Sequence, residues 1–191
     1  EYRWQYENRI RINYKKRAEG LWRVLNQCPQ CHTEYSIISR DNNLKCRQCS
    51  KIWQMNEYGQ IEALSGETEF PHIPDWYEYQ RKQVEQEVRD GKYFFDETVT
   101  ADALPSEKGF VPLGQGQLTQ DRKGFTLKLR SETIFFPYKY ALHVEYNYRG
   151  KGDCVVLSTR DCCYYLYPVS PKSSVTKIQF AAEYMAAGPK N

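Results

Sequence analysis

Four cysteines in two closely spaced pairs constrain this chain more than any other feature of its 191 residues. The first pair is C-P-Q-C and the second is C-R-Q-C, with fourteen residues between them. A CxxC turn presents two thiolates together, so two such turns complete the tetrahedral S4 shell that suits zinc. The sequence therefore predicts a structural zinc site with no open coordination position, and its ligands are Cys28, Cys31, Cys46 and Cys49.

Two other interpretations of the first cysteine pair compete with zinc. Residues 28–32 read C-P-Q-C-H, which matches a c-type haem attachment motif, but haem attachment leaves the second CxxC unexplained. A redox-active CxxC needs a thioredoxin-like βαβ context, which the surrounding sequence does not offer. Zinc accounts for both pairs at once, so we favour it.

The total of seven cysteines indicates a reducing compartment. Cys154, Cys162 and Cys163 bring the number to an odd value, and the sequence shows no basic-then-apolar leader. Both observations argue against a disulfide framework. We expect a cytoplasmic protein in which these three side chains pack as small hydrophobic groups.

The chain divides by charge and pattern into four expected segments. Residues 1–60 carry 11 basic and 6 acidic side chains, residues 61–110 carry 5 and 12, and residues 111–191 carry 11 and 6. An acidic middle between two mildly basic ends indicates separate modules. The expected segments are an N-terminal basic amphipathic helix (1–26), a zinc ribbon (27–66), an acidic linker with a helix (67–92) and a β-domain (93–191).

Two helices are predicted before the β-domain. Between residues 4 and 25, apolar side chains recur at every fourth position: Tyr6, Ile10, Tyr14, Ala18 and Trp22. This spacing predicts an amphipathic helix. A second helix is expected from Trp76 to Asp90, with Asp75 as its N-cap and Gly91 as its end.

From Tyr93 onward the apolar pattern changes to alternation, which predicts half-buried strands. Phe125, Leu127 and Leu129 alternate with polar residues, and six further stretches read in the same way. A closing helix over residues 174–186, capped by Ser173, follows seven expected strands. This order is that of an antiparallel barrel of the pleckstrin-homology or GRAM-like kind with a C-terminal helix. The predicted fold class is therefore α+β.

Basic side chains suggest two binding hypotheses. The second cysteine pair is surrounded by basic side chains, and an aromatic residue, Trp53, lies nearby. This composition can bind single-stranded nucleic acid, although it also fits an ordinary solvated surface. The basic residues are Arg40, Lys45, Arg47 and Lys51.

In the β-domain, charged residues at two expected turns form a candidate clamp for a phosphorylated lipid headgroup. These residues are Arg122, Lys123, Arg149 and Lys151.

No catalytic motif is visible in the sequence. His32, His72 and His143 lie in different segments, and no nucleophile elbow, Walker loop or H-E-x-x-H helix is present. We therefore expect no catalytic residues in this chain.

Five stretches carry a family resemblance over roughly residues 1–180: CPQCHTEY…LKCRQCSKIW, GETEFPHIPDWYEYQR, GFVPLGQGQLT, EYNYRGKGDCVVLST and YYLYPVSPKSSVTKI. With them the chain resembles the C-terminal extension of lysophospholipid acyltransferase-like proteins of Firmicutes. These proteins are usually labelled 1-acylglycerol-3-phosphate acyltransferases. The resemblance implies a parent enzyme that transfers an acyl group from a thioester carrier to lysophosphatidate in phospholipid synthesis.

The resemblance also implies that catalysis belongs to a domain upstream of this chain. The family's catalytic signature is His-x4-Asp, in which the carboxylate orients a histidine base. Five places after the three histidines stand Ile37, Tyr77 and Tyr148, none of them acidic. Of the family's functional residues, we therefore carry over only the four cysteines.

These inferences combine into one expected function with alternatives. The chain is expected to be a non-catalytic accessory module that docks its acyltransferase to an anionic membrane surface, at the inner face, or to a partner. A nucleic-acid-binding zinc-ribbon protein and a purely structural interaction module are the alternatives.

Overall fold

The computed structural model describes residues 2–105, 109–140 and 142–188. The chain divides into two compact units, Glu1–Lys82 and Gln83–Asn191, with the boundary inside a helix. Each unit has an antiparallel sheet and a hydrophobic core of its own. The fold is α+β, as the sequence predicts.

A four-stranded antiparallel meander forms the first unit. Its strands pair in chain order and are β1 (Ile37–Arg40), β2 (Asn43–Cys46), β3 (Ile52–Met55) and β4 (Ile61–Ala63). Alternate side chains point inward, so that Leu44, Trp53 and Ile61 are fully buried with Leu25 and Trp76. This small core lies beside the cysteine-bearing turns.

The N-terminal helix is much shorter than its apolar spacing predicts. Helix α1 spans only Tyr2–Glu7, and residues 9–20 form turns and irregular backbone. The amide of Ile12 donates to the carbonyl of Glu57 (2.7 Å), and that of Ala18 donates to the carbonyl of Asp41 (2.9 Å). Helical stability in proteins comes mostly from packing of an apolar face, and most of the expected apolar stripe is exposed here. Bonds to the sheet's hairpin turns replace the helical ones. The expected helix over 1–26 is therefore wrong.

The second helix begins three residues earlier than expected. Helix α2 spans Ile73–Arg89, with Pro74 in its first turn, where the missing amide proton costs nothing. Asp75 lies inside that first turn and is not the N-cap. Gly91 follows the helix with a φ of 70°, as its role as a terminator predicts.

A seven-stranded antiparallel sheet forms the second unit, with a strand at each of the seven expected places. The strands are β5 (Phe95–Leu104), β6 (Val111–Asp121), β7 (Gly124–Lys128), β8 (Thr133–Pro137), β9 (Leu142–Glu145), β10 (Cys154–Ser158) and β11 (Cys163–Pro168). Their order across the sheet is β8-β7-β6-β5-β11-β10-β9, so the long β5 joins two meanders. The sheet curls into a half-barrel.

The closing helix completes the core of this unit. Helix α3 spans Val175–Ala187 and packs on β9 and β10. Its buried Val175 and Ile178 lie in one cluster with Leu118 and Phe125. The N-cap is Ser174, whose side chain accepts from the Lys177 amide, and not the adjacent Ser173.

Candidate metal centre

The two cysteine turns have the same backbone conformation. In the first, the amide of His32 donates to the carbonyl of Cys28 at 2.9 Å, and in the second, the amide of Ser50 donates to the carbonyl of Cys46 at 3.0 Å. His32 and Ser50 both have a positive φ, 59° and 63°. Each turn thus closes over its two sulfur atoms in the same way, and we call these turns the two knuckles.

Strand pairing brings the knuckles together. The first knuckle lies in a hairpin closed by a bridge between Gln27 and Glu34. The second begins at Cys46, the last residue of β2, and leads directly into β3. Because β1 pairs with β2 and Ile37 stands opposite Cys46, the chain between the two cysteine pairs folds back on itself.

The four sulfur atoms form one tight cluster. Sγ of Cys28 lies 3.7 Å from Sγ of Cys49, Sγ of Cys31 lies 3.7 Å from Sγ of Cys46, and all four atoms lie within 4.8 Å of one another. Tetrahedral zinc with Zn–S bonds of about 2.3 Å requires sulfur atoms about 3.8 Å apart. The predicted ligands are thus brought together at a spacing that fits this metal.

Local hydrogen bonds bear on the ionisation that metal binding requires. Burial raises the pKa of the Cys28 thiol, while the amides of Gln30 and Cys31 act against that rise. Burial also opposes ionisation of Cys31, but hydrogen bonds with the hydroxyl and amide of Thr33 outweigh it and lower the pKa of this thiol. Such donors around a thiolate are what the second shell of a metal site provides.

A buried lysine connects the two knuckles. Lys51 follows the second knuckle, and its Nζ donates to Oε1 of Gln30 in the first knuckle at 3.1 Å and to Oε1 of Glu69 at 2.6 Å. The other carboxylate oxygen of Glu69 accepts from the indole of Trp53 at 2.9 Å. The Glu69 carboxylate neutralises the Lys51 charge, so the ion pair supports the link between the knuckles without leaving a buried charge unpaired.

This arrangement changes the interpretation of the basic residues near the second cysteine pair. Lys51 is part of a buried ion pair and Trp53 is a core residue, so neither lies on a surface that a nucleic acid strand can contact. Arg40, Lys45 and Arg47 are exposed. Sequence reasoning missed Lys51 as a support of the metal centre, because its partner Glu69 lies 18 residues away in an irregular segment.

The first turns of helix α2 hold the segment before the first knuckle. The indole of Trp76 donates to the carbonyl of Gln27 at 2.9 Å. The Gln80 amide accepts from the Gln27 backbone and donates to the carbonyl of Val24, both at 2.9 Å. These bonds fix the approach to Cys28.

The four basic residues proposed as a headgroup clamp lie at two separate places. Arg122 and Lys123 are exposed in the β6–β7 turn, next to Phe95, where β5 begins. Lys151 pairs with Asp102, seven residues further along β5, or about 23 Å along the strand. The guanidinium of Arg149 stacks at 4.2 Å from the ring centroid of Phe110. The fold does not join these two pairs into one clamp.

Comparison with family profiles, curated proteins and solved structures gives no match to this chain. Across residues 2–105, 109–140 and 142–188, none of the helices combines the length and apolar character needed to cross a bilayer.

Proposed function

We propose that this chain is a non-catalytic accessory module whose first unit is a zinc ribbon. The observation that carries the proposal is the 3.7 Å spacing within two sulfur pairs of a four-cysteine cluster. Four protein thiolates fill a tetrahedral shell, so the ion has no position for water or substrate and its role is structural. Cys28, Cys31, Cys46 and Cys49 would hold the zinc, and its binding would be coupled to folding of the first unit.

The second unit of this module is a pleckstrin-like or GRAM-like domain. Two antiparallel meanders joined through β5, followed by a helix that covers the core, support this assignment. Domains of this architecture place charged residues in their inter-strand turns, as Arg122 and Lys123 are placed here. A fold does not fix a function, so the assignment supports only a binding role.

The parent protein is an acyltransferase of phospholipid synthesis, and the module docks its catalytic domain to lipid. The resemblance of five sequence stretches to such extensions supports this step. Among the residues that the structure describes, the four cysteines are the one group of three or more His, Cys, Asp or Glu side chains close enough to share a metal ion.

Flotation of the zinc-loaded chain with vesicles tests this function. We expect co-flotation with anionic vesicles and none with neutral vesicles at low salt. Absence of flotation with both would contradict lipid docking and leave a scaffold for the catalytic domain or another protein. In a parallel assay the chain should transfer no acyl group from a thioester donor to lysophosphatidate, and measurable transfer would overturn the non-catalytic assignment.

A further inference from the structure

Exposed apolar side chains are concentrated at the start of the chain. Among the described residues, twelve large hydrophobic side chains are exposed, and five of them lie between residues 4 and 22. They are Trp4, Tyr6, Ile10, Tyr14 and Trp22, with exposed fractions of 41 to 62%. We call residues 4–24 the N-terminal segment. Scattered exposed hydrophobic groups are normal, but a run of this kind with two tryptophans marks an interaction surface.

The backbone of the N-terminal segment is tied to the ribbon. The guanidinium of Arg17 donates to the carbonyls of Tyr14 (3.0 Å) and Met55 (3.3 Å). The backbone amide of Arg17 donates to the side-chain Oδ1 of Asn42 (3.0 Å). Asn42 and Met55 flank the β1–β2 and β3–β4 turns, which lie at the end of the sheet opposite the second knuckle. The exposed rings are therefore presented from an anchored segment.

Basic side chains accompany the exposed apolar ones. Residues 1–26 hold seven lysine and arginine residues against three glutamates. Arg9 adjoins Ile10 in the sequence, Lys15 and Lys16 follow Tyr14, and all three basic side chains are exposed. Tryptophan, tyrosine and lysine or arginine together are the residues that occupy the interface of a bilayer, with rings at headgroup level and charges near anionic lipids.

We propose that the N-terminal segment is the surface through which this chain docks onto an anionic bilayer. The inference rests on the proposed lipid-docking function and places that contact at the end of the ribbon opposite the second knuckle. Charge complementarity selects anionic over neutral lipid. Ile10 favours a bilayer over a nucleic acid, because an aliphatic side chain gains from burial among acyl chains and has no stacking role on bases.

Tryptophan fluorescence tests the proposal directly, because the two exposed indoles lie in the N-terminal segment. Trp4 and Trp22 are exposed, whereas Trp53 and Trp76 are buried, and these four are all the tryptophans of the chain. Vesicles of phosphatidylglycerol and brominated phosphatidylcholine should quench the emission of the zinc-loaded chain and shift it to shorter wavelength. Vesicles of brominated phosphatidylcholine alone should leave it unchanged.

Two matched charge reversals locate the contact. The double substitution Lys15→Glu with Lys16→Glu should lower vesicle affinity at least about 25-fold, roughly fivefold for each positive charge lost. The control reverses two exposed charges that neither binding hypothesis uses, Lys128→Glu with Arg130→Glu, and should leave affinity within about twofold. Retention of zinc by each variant verifies that the first unit is folded. A second variant, Trp4→Ala with Tyr14→Ala, should also lose affinity while its charge is unchanged.

The outcomes separate this inference from the proposed function. The competing site is tested by Arg122→Glu with Lys123→Glu: loss of binding in this variant, with binding kept in the Lys15 and Lys16 reversals, would overturn the N-terminal contact and leave lipid docking intact. No quenching with any vesicle would overturn both. Tighter binding of a single-stranded oligonucleotide than of anionic vesicles, lost with the Lys15 and Lys16 reversals, would overturn the inference in favour of a nucleic acid partner.

Discussion

His32 and Ser50 adopt the same left-handed backbone conformation, and each follows the second cysteine of its knuckle. The φ values are 59° and 63°, a region that costs a residue with a Cβ atom roughly 1–2 kcal/mol. The imidazole of His32 is also hydrogen-bonded, since its Nδ1 lies 2.6 Å from the hydroxyl of Tyr79. Both residues therefore have the same backbone strain, and at His32 the hydrogen bond to Tyr79 of helix α2 compensates for it.

Ser50→Gly should therefore stabilise the zinc-loaded protein. Glycine adopts the left-handed conformation without strain, and this relief exceeds its extra entropy in the unfolded chain, giving a gain of about 0.5–1 kcal/mol. Urea unfolding followed by tryptophan fluorescence measures the change. His32→Gly is the comparison, since loss of the bond to Tyr79, about 1 kcal/mol, cancels its gain. A lower midpoint for Ser50→Gly than for wild type would contradict the argument.

Zinc should bind at one ion per chain and be required for the first unit to stay folded. Cys46→Ser removes a buried ligand, and with it a binding energy that this small core cannot replace. We expect the variant to lose zinc and its tryptophan emission to shift to longer wavelength as Trp53 and Trp76 become hydrated. Metal analysis and emission spectra measure both effects.

The control for metal loss is Cys162→Ser, in the second unit. Cys162 is partly exposed and lies outside the sulfur cluster, so this variant should keep the zinc and the native emission. Native emission from the Cys46→Ser protein, or from wild type after chelation, would show that the first unit folds without metal.

The four-cysteine cluster and the strands could be predicted from the sequence because each depends on spacing within short stretches. Two CxxC pairs define the four ligands, and period-two alternation locates each strand of the second unit. The N-terminal helix could not be predicted, since the amides of Ile12 and Ala18 are satisfied by carbonyls 45 and 23 residues away. The link between Lys51 and Glu69 likewise follows from the path of an irregular segment, which has no periodic signature.

Asp102 and Lys151 should behave as a coupled pair. The Asp102 carboxylate is 1% exposed and Lys151 is 45% exposed, so Lys151→Met leaves a buried charge without its partner. We expect a loss of about 2 kcal/mol, below the 3–5 kcal/mol or so typical of fully buried pairs because water reaches the lysine. The double variant Asp102→Asn with Lys151→Met should recover most of the loss in a double-mutant cycle.

Arg149→Met is the matched control for Lys151→Met, because it removes a neighbouring positive charge that stacks on Phe110 without serving a buried carboxylate. Its cost should be about 0.5–1 kcal/mol. Equal losses in the two single variants, or additivity in the cycle, would show that Lys151 does not compensate Asp102.

The wild-type protein should be less stable at neutral pH than the Glu97→Gln variant. Burial raises the pKa of Glu97, whose Oε2 is buried without a hydrogen-bond partner in the described part of the chain. An acid whose pKa is higher in the folded state favours folding below its unfolded pKa, and this contribution is lost as pH rises through the folded value. Glu97→Gln removes the partly buried charge, so it should raise the free energy of unfolding at pH 7. Urea unfolding at pH 7 and pH 5 should show the advantage of the variant shrinking at the lower pH, and a constant or growing difference would mean that Glu97 is not destabilised by burial.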